Sequence, residues 1–198
     1  MSAKIYAEGG GEGQLLDTLF RAGWNAFFKA AGLKGGMPRV VRGKGREQTF
    51  DLFLTAVRNP REGDLPLLLV DSEGPVAAGH SVWQHLKARD GWDRPQGASD
   101  DQAFLMVQLM ETWFLADRKL LQEHFGAALR EKPLQQWPDL EGVDKDKVFK
   151  ALDQATAGCS QPYSKGKVSY QLLARLNPKS VEEKCPHARA LLERLSNL

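Results

Sequence analysis

At 198 residues, with 42% hydrophobic and 26% charged side chains, the chain has the composition of one ordinary folded domain, which excludes collagen-like, mucin-like and disordered classes. A net charge of +2 is too small to argue for nucleic acid by itself. No apolar run approaches the ~20 residues of a bilayer span, and the N-terminus lacks the apolar stretch and cleavage site of a signal peptide, so a cytoplasmic protein with no membrane role is expected.

Lys4-Ile5-Tyr6-Ala7 reads as a short strand, followed by Glu8 and the flexible run Gly9-Gly10-Gly11. From Gln14 to Ala31, apolar residues recur at three- and four-residue steps (Leu16, Leu19, Phe20, Trp24, Phe27, Phe28), which predicts an amphipathic helix lying on a sheet. Pro38 to Val41 reads as a second strand, then comes a basic glycine turn with Arg42, Lys44 and Arg46, and helical spacing returns from Glu47 to Arg58. Leu65 to Val70 is a continuous apolar run, the pattern of a parallel strand covered on both faces. Gly74 to Ser99 reads as a surface insertion with a short helix around Val82 to Ala88. Ala103 to Met110 is a further strand candidate, and Glu111 opens a helix running to about Phe125. After a loop from Pro133 to Pro138, helical segments are expected at Lys145 to Ala157, Ser169 to Leu176 and Pro186 to Leu195.

Alternating strands and helices predict an α/β domain with a largely parallel sheet. In such sheets ligands gather at the carboxyl ends of the strands, so functional residues belong just past each apolar run. Glu8, Asp71, Glu73 and Glu111 stand there. Crowded anions need a cation to offset their repulsion, unless they splay into water. A donor set of oxygens alone points to Mg²⁺ or Mn²⁺. The Asp71-x-Glu73 spacing places both carboxylates on one side of an extended chain.

Three stretches carry a family resemblance: Ile5-Tyr6-Ala7-Glu8-Gly9-Gly10-Gly11-Glu12, Pro66-Leu67-Leu68-Leu69-Val70-Asp71-Ser72-Glu73, and Glu111-Thr112-Trp113-Phe114-Leu115-Ala116-Asp117. Together they resemble a Toprim catalytic domain, and in particular the compact bacterial proteins grouped as domain of unknown function 4276, to which nearly the whole chain is similar. The resemblance implies a Toprim-like α/β catalytic domain over residues 1–130, with helices on both sheet faces. A helical C-terminal extension, residues 131–198, would pack on the same domain.

By the same resemblance, Glu8 matches the strand-end glutamate and Glu12 the second acid of an EGxxE pattern. Asp71 and Glu73 match a DxD pair whose second member is one methylene longer here, and Glu111 matches the acid that opens the next helix. Lys165 or Lys167 matches a lysine that offsets developing charge on phosphate. The implied activity is metal-dependent hydrolysis of phosphodiesters in DNA or RNA, with Glu8 binding metal or acting as general base. The implied setting is phage defence under an ATPase partner. A non-catalytic Toprim-like partner of an ATPase is the alternative.

Other chemistries lack their residues. The glycine run is not followed by the Gly-Lys-Ser/Thr of a P-loop, and no GxSxG elbow is present. Cys159 and Cys185, and the four histidines, show no metal-ligand spacing. Charge is uneven: residues 1–46 carry eight Lys/Arg against three Asp/Glu, residues 47–143 nine against sixteen, and residues 144–198 ten against six. An acidic centre between basic ends suits a metal enzyme acting on a polyanion. Arg39, Arg42, Lys44 and Arg46 are candidates to track a nucleic-acid backbone, and the five tryptophans are expected mostly as core or loop anchors.

Overall fold

A computed structural model describes residues 2–33 and 35–198. It contains four strands, β1 (Ser2–Glu8), β2 (Arg39–Gly43), β3 (Asp64–Asp71) and β4 (Ala103–Met106), in a single parallel sheet of order β2-β1-β3-β4. Among the described residues the helices are α1 (Gln14–Ala30), α2 (Arg46–Arg58), α3 (Val82–Asp90), α4 (Met110–Ala116), α5 (Arg118–Phe125), α6 (Lys145–Thr156), α7 (Lys167–Leu173), α8 (Pro178–Lys184) and α9 (Pro186–Ser196). The expected α/β class with a parallel sheet is therefore the observed one.

Alternation along each strand builds two cores, one on each face of the sheet. Ile5, Ala7, Leu67, Leu69, Phe104 and Met106 point into the larger core with α1 and α4 through α9. Tyr6, Leu68, Val70 and Leu105 point into the smaller one, against Phe53 of α2 and Trp83 and Leu86 of α3. This two-sided burial explains the unbroken apolar run of β3. In α1, Phe20, Trp24, Phe27 and Phe28 are all fully buried, and deleting any one of these rings costs about 3–5 kcal/mol in such cores. Gly23 lets α7 approach α1 closely: a Cβ there would stand 2.9 Å from the Tyr170 carbonyl oxygen. The helices after residue 130 bury Val148, Leu152, Leu172, Leu191 and others in the same larger core.

Several expectations need correction. The strand expected over Ala103 to Met110 stops at Met106, because its one neighbour, β3, ends its ladder at Asp71. Beyond that point the Ser72 and Glu73 amides donate to Met106 O and Gln108 O, and a cis peptide joins Val107 to Gln108. The helix expected from Glu111 to Phe125 is two helices broken at Asp117, whose carboxylate accepts from Leu120 N (3.1 Å) and Asn177 N (3.0 Å). The Gly74 to Ser99 stretch is more than a surface insertion, since α3 buries Trp83, His85 and Leu86. Helix α8 was not expected, although Asn177 caps it and Pro178 sits at its first position, a standard start signal.

Candidate functional site

The chain passes from β1 to β2 on one side and then crosses back beyond β1 to β3, so the strand order reverses between β1 and β3. The crevice at the carboxyl ends of strands flanking such a reversal is the usual ligand position in parallel sheets. Glu8 is the last residue of β1 and Asp71 the last of β3. Glu73 follows two residues on, and Glu111 lies in the first turn of α4 rather than at a strand end. These four carboxylates and Lys165 line one cleft of about 290 Å³, together with Gly9 to Gly11 and Tyr170. Gly9 is required at its wall: a Cβ there would sit 2.8 Å from the Phe20 ring.

The shared facing of Asp71 and Glu73 has a different origin from the one expected. Glu73 takes a left-handed backbone (φ 61°), which a non-glycine residue adopts only when its surroundings enforce it. The enforcing contacts are the Glu73 amide on Gln108 O (2.8 Å) and the Ser72 hydroxyl on Gly74 O (2.6 Å). His85 Nε2 lies 2.9 Å from Ser72 O, which assigns the proton to that ring nitrogen.

Each carboxylate has a protein donor on one oxygen. Arg46 reaches Glu8 Oε2 (3.3 Å), the Met110 amide donates to Asp71 Oδ1 (2.9 Å), Lys145 Nζ to Glu73 Oε2 (2.7 Å) and the Tyr163 hydroxyl to Glu111 Oε1 (2.5 Å). Burial pushes Glu8 up, with the charge of Glu73 adding and Arg46 opposing. Asp71 is raised well above the usual carboxylate range by burial, then by the charges of Glu111, Glu8 and Glu73, with Lys165 pulling the other way. Burial also raises Glu111 against the Tyr163 hydrogen bond and the charge of Lys165. Burial acts upward on Glu73 too, but Lys145, Arg89 and Arg46 outweigh it and hold that carboxyl low.

Not every expected residue is here. Glu12 is exposed in the loop before α1 and Lys167 is exposed at the start of α7, and neither lines the cleft. Two of the four basic residues, Arg42 and Arg46, are engaged inside the protein. The Arg42 side chain is only 4% exposed and donates to Gly9 O and Gly10 O (2.9 Å each), to Gly11 O and to Asp17. Arg46 forms a bidentate pair with Asp90 (2.8 and 2.7 Å) and donates to Asp71 O. Arg39 pairs with Asp64, and Lys44 is exposed. Sequence reasoning missed Arg46, Lys145 and Tyr163 as site residues. Arg46 stands out in the sequence only as a member of the basic turn, and Tyr163 lies two residues before Lys165.

The donor set fits a hard divalent ion in kind, being carboxylates without Cys or His in the cleft lining. In arrangement, the carboxylates ring the cleft: among the described residues, no three His, Cys, Asp or Glu side chains form a group that could hold an ion as they stand. Glu8, Asp71, Glu73 and Glu111 are the residues of the lining whose oxygens are of the kind such an ion takes. No described helix is long and apolar enough to cross a membrane.

Comparison with known proteins yields one family, described as "Domain of unknown function (DUF4276)", matching residues 7–196. No curated protein and no solved structure matches.

Proposed function

The chain belongs to the family "Domain of unknown function (DUF4276)", and we propose that this member is a divalent-metal-dependent nuclease of Toprim type, hydrolysing phosphodiester bonds in DNA or RNA. One observation carries the reading: Glu8, Asp71, Glu73 and Glu111, from three distant stretches of chain, line a single cleft with Lys165. When bound, Mg²⁺ or Mn²⁺ supplies an activated water and neutralises charge on the attacking and leaving oxygens.

The chain supplies the rest. Glu8 faces the cleft from the end of β1 and either holds the ion or accepts the proton of water. Lys165 lines the cleft among four carboxyl groups that would otherwise disfavour a phosphate, and a cation there stabilises charge that grows on the phosphate oxygens. Arg46 ties the ends of β1 and β3 to α3 through Glu8, Asp71 O and Asp90, holding the carboxylates in their relative places.

The setting we propose is phage defence under an ATPase partner. Its support is the resemblance of the sequence to Toprim-like proteins of that kind, and an ATPase gene beside this one would add to it. A second reading, a non-catalytic partner of an ATPase, is favoured by the engagement of Glu8, Glu73 and Glu111 with Arg46, Lys145 and Tyr163.

The test is cleavage of end-labelled single-stranded DNA, duplex DNA and RNA with Mg²⁺ or Mn²⁺, with and without any ATPase encoded beside this chain. Metal-dependent cleavage lost in Glu8→Ala and Asp71→Ala is expected. Unchanged cleavage by both folded variants removes this site, and no cleavage under any condition favours the second reading.

A further inference from the structure

Glu111 is 3% exposed, and its Oε1 accepts from the hydroxyl of Tyr163, a residue outside the lining of this cleft. Tyr163 is itself held from three directions. Its amide donates to Thr156 Oγ1 at the end of α6 (2.8 Å), and that hydroxyl donates in turn to Leu152 O. Its own hydroxyl lies 3.0 Å from Ser169 Oγ of α7, which also accepts from Gly166 N. Its ring packs against Phe114 of α4, with centroids 6.3 Å apart. Phe114 belongs to the helix that carries Glu111.

A carboxylate restrained on one oxygen by an immobile donor presents its other oxygen in a fixed direction. Such outer partners orient metal ligands and set their affinity. Both the donor and Lys165 come from the turn between α6 and α7, and Gly166, Ser169 and Tyr170 also line the cleft, so the segment beyond residue 130 forms part of its wall. We propose that Tyr163 is a positioning residue, aiming the Glu111 carboxylate at a divalent ion in the cleft. The proposal rests on the metal-dependent reading above and extends it to the C-terminal helices.

The test is calorimetric titration of the full chain with Mn²⁺, using Tyr163→Phe, Glu111→Gln and the double variant. Thermal melts in chelator serve as the fold control. Tyr163→Phe keeps the ring contact with Phe114 and is expected to melt as a folded protein while binding Mn²⁺ about 10- to 100-fold more weakly. In the Glu111→Gln background the same change should have no further effect. Wild-type affinity in Tyr163→Phe, or an equal loss in both backgrounds, overturns the positioning role. A wild-type chain that binds neither Mn²⁺ nor Mg²⁺ overturns the metal reading itself and the role of Tyr163 with it.

Discussion

Arg46 is the contact most exposed to test, because one guanidinium joins three elements. It forms a bidentate pair with Asp90 at the end of α3, reaches Glu8 at 3.3 Å, donates to Asp71 O and lies 5.1 Å from the centre of the Trp92 ring. The Arg46 and Asp90 side chains are 12% and 5% exposed, so the pair is largely desolvated. Removing one partner of such a pair costs about 3–5 kcal/mol, because the other charge stays buried and uncompensated. Asp90 retains a contact with Arg89, which places Arg46→Met at the lower end, about 3 kcal/mol. For a chain of this length that is a fall in Tm of about 6–12 °C.

Urea melts followed by tryptophan fluorescence measure it, with an unchanged m-value confirming that the native and denatured states are comparable. Arg46→Met combined with Asp90→Leu should regain part of the loss, since Asp90 is then no longer a buried uncompensated charge, while Glu8 still lacks Arg46. If Arg46→Met loses less than about 1 kcal/mol, the pair behaves like an exposed one and the account of Arg46 as the tie between strand ends is refuted.

Other outcomes follow from the same geometry. Burial and the charges of Glu111, Glu8 and Glu73 raise Asp71 in the folded chain, so the folded state holds its proton to higher pH than the unfolded state. The stability this group allows is fullest at low pH and falls as pH rises from about 3.9, the unfolded value, through the folded pKa. In chelator, Asp71→Asn should therefore flatten the decline of Tm with rising pH, and an unchanged slope would count against the electrostatic account. Gly9→Ala places a methyl 2.8 Å from the Phe20 ring, whereas at Gly10 a Cβ meets nothing within 4 Å. Urea melts should show a loss of about 1–3 kcal/mol for the first and a change within about 0.5 kcal/mol for the second. Lys145 holds Glu73 low, so Lys145→Ala should raise the Glu73 carboxyl pKa in an NMR titration. It should change stability by less than about 1 kcal/mol, because both side chains are partly solvated.

The fold was legible where local pattern and tertiary burial agree. The spacing of Phe20, Trp24, Phe27 and Phe28 marks α1 because every one of those side chains enters the larger core, and the run Leu67 to Val70 marks β3 because both sheet faces are covered. The segment Ala103 to Met110 failed because strand length depends on a neighbour. Its residues are apolar to the end except for Gln108, but the ladder stops where β3 stops. The break at Asp117 was hidden because the same carboxylate caps α5 and holds Asn177, sixty residues away in sequence. Helix α8 was legible in the Asn177-Pro178 start and was overlooked.

The site divides along the same line. Its anions were readable because each follows a recognisable apolar or helical segment, and the strand reversal between β1 and β3 brings those ends together. Their cations were not. Arg46 looked like part of a basic turn open to phosphates, yet its side chain is directed inward by Asp90, which lies forty-four residues on. Lys145 meets Glu73 across seventy-two residues and Tyr163 meets Glu111 across fifty-two, and no periodicity encodes either contact. A carboxylate can be placed by the strand that ends beside it, but the group that balances it is chosen by how the layers close. The charges that decide whether this cleft holds a cation, a proton or only its own lysines therefore belong to tertiary structure. The Mn²⁺ titration of Tyr163→Phe is aimed at that level, because it alters no ligand and no local pattern, only the donor that a distant turn delivers.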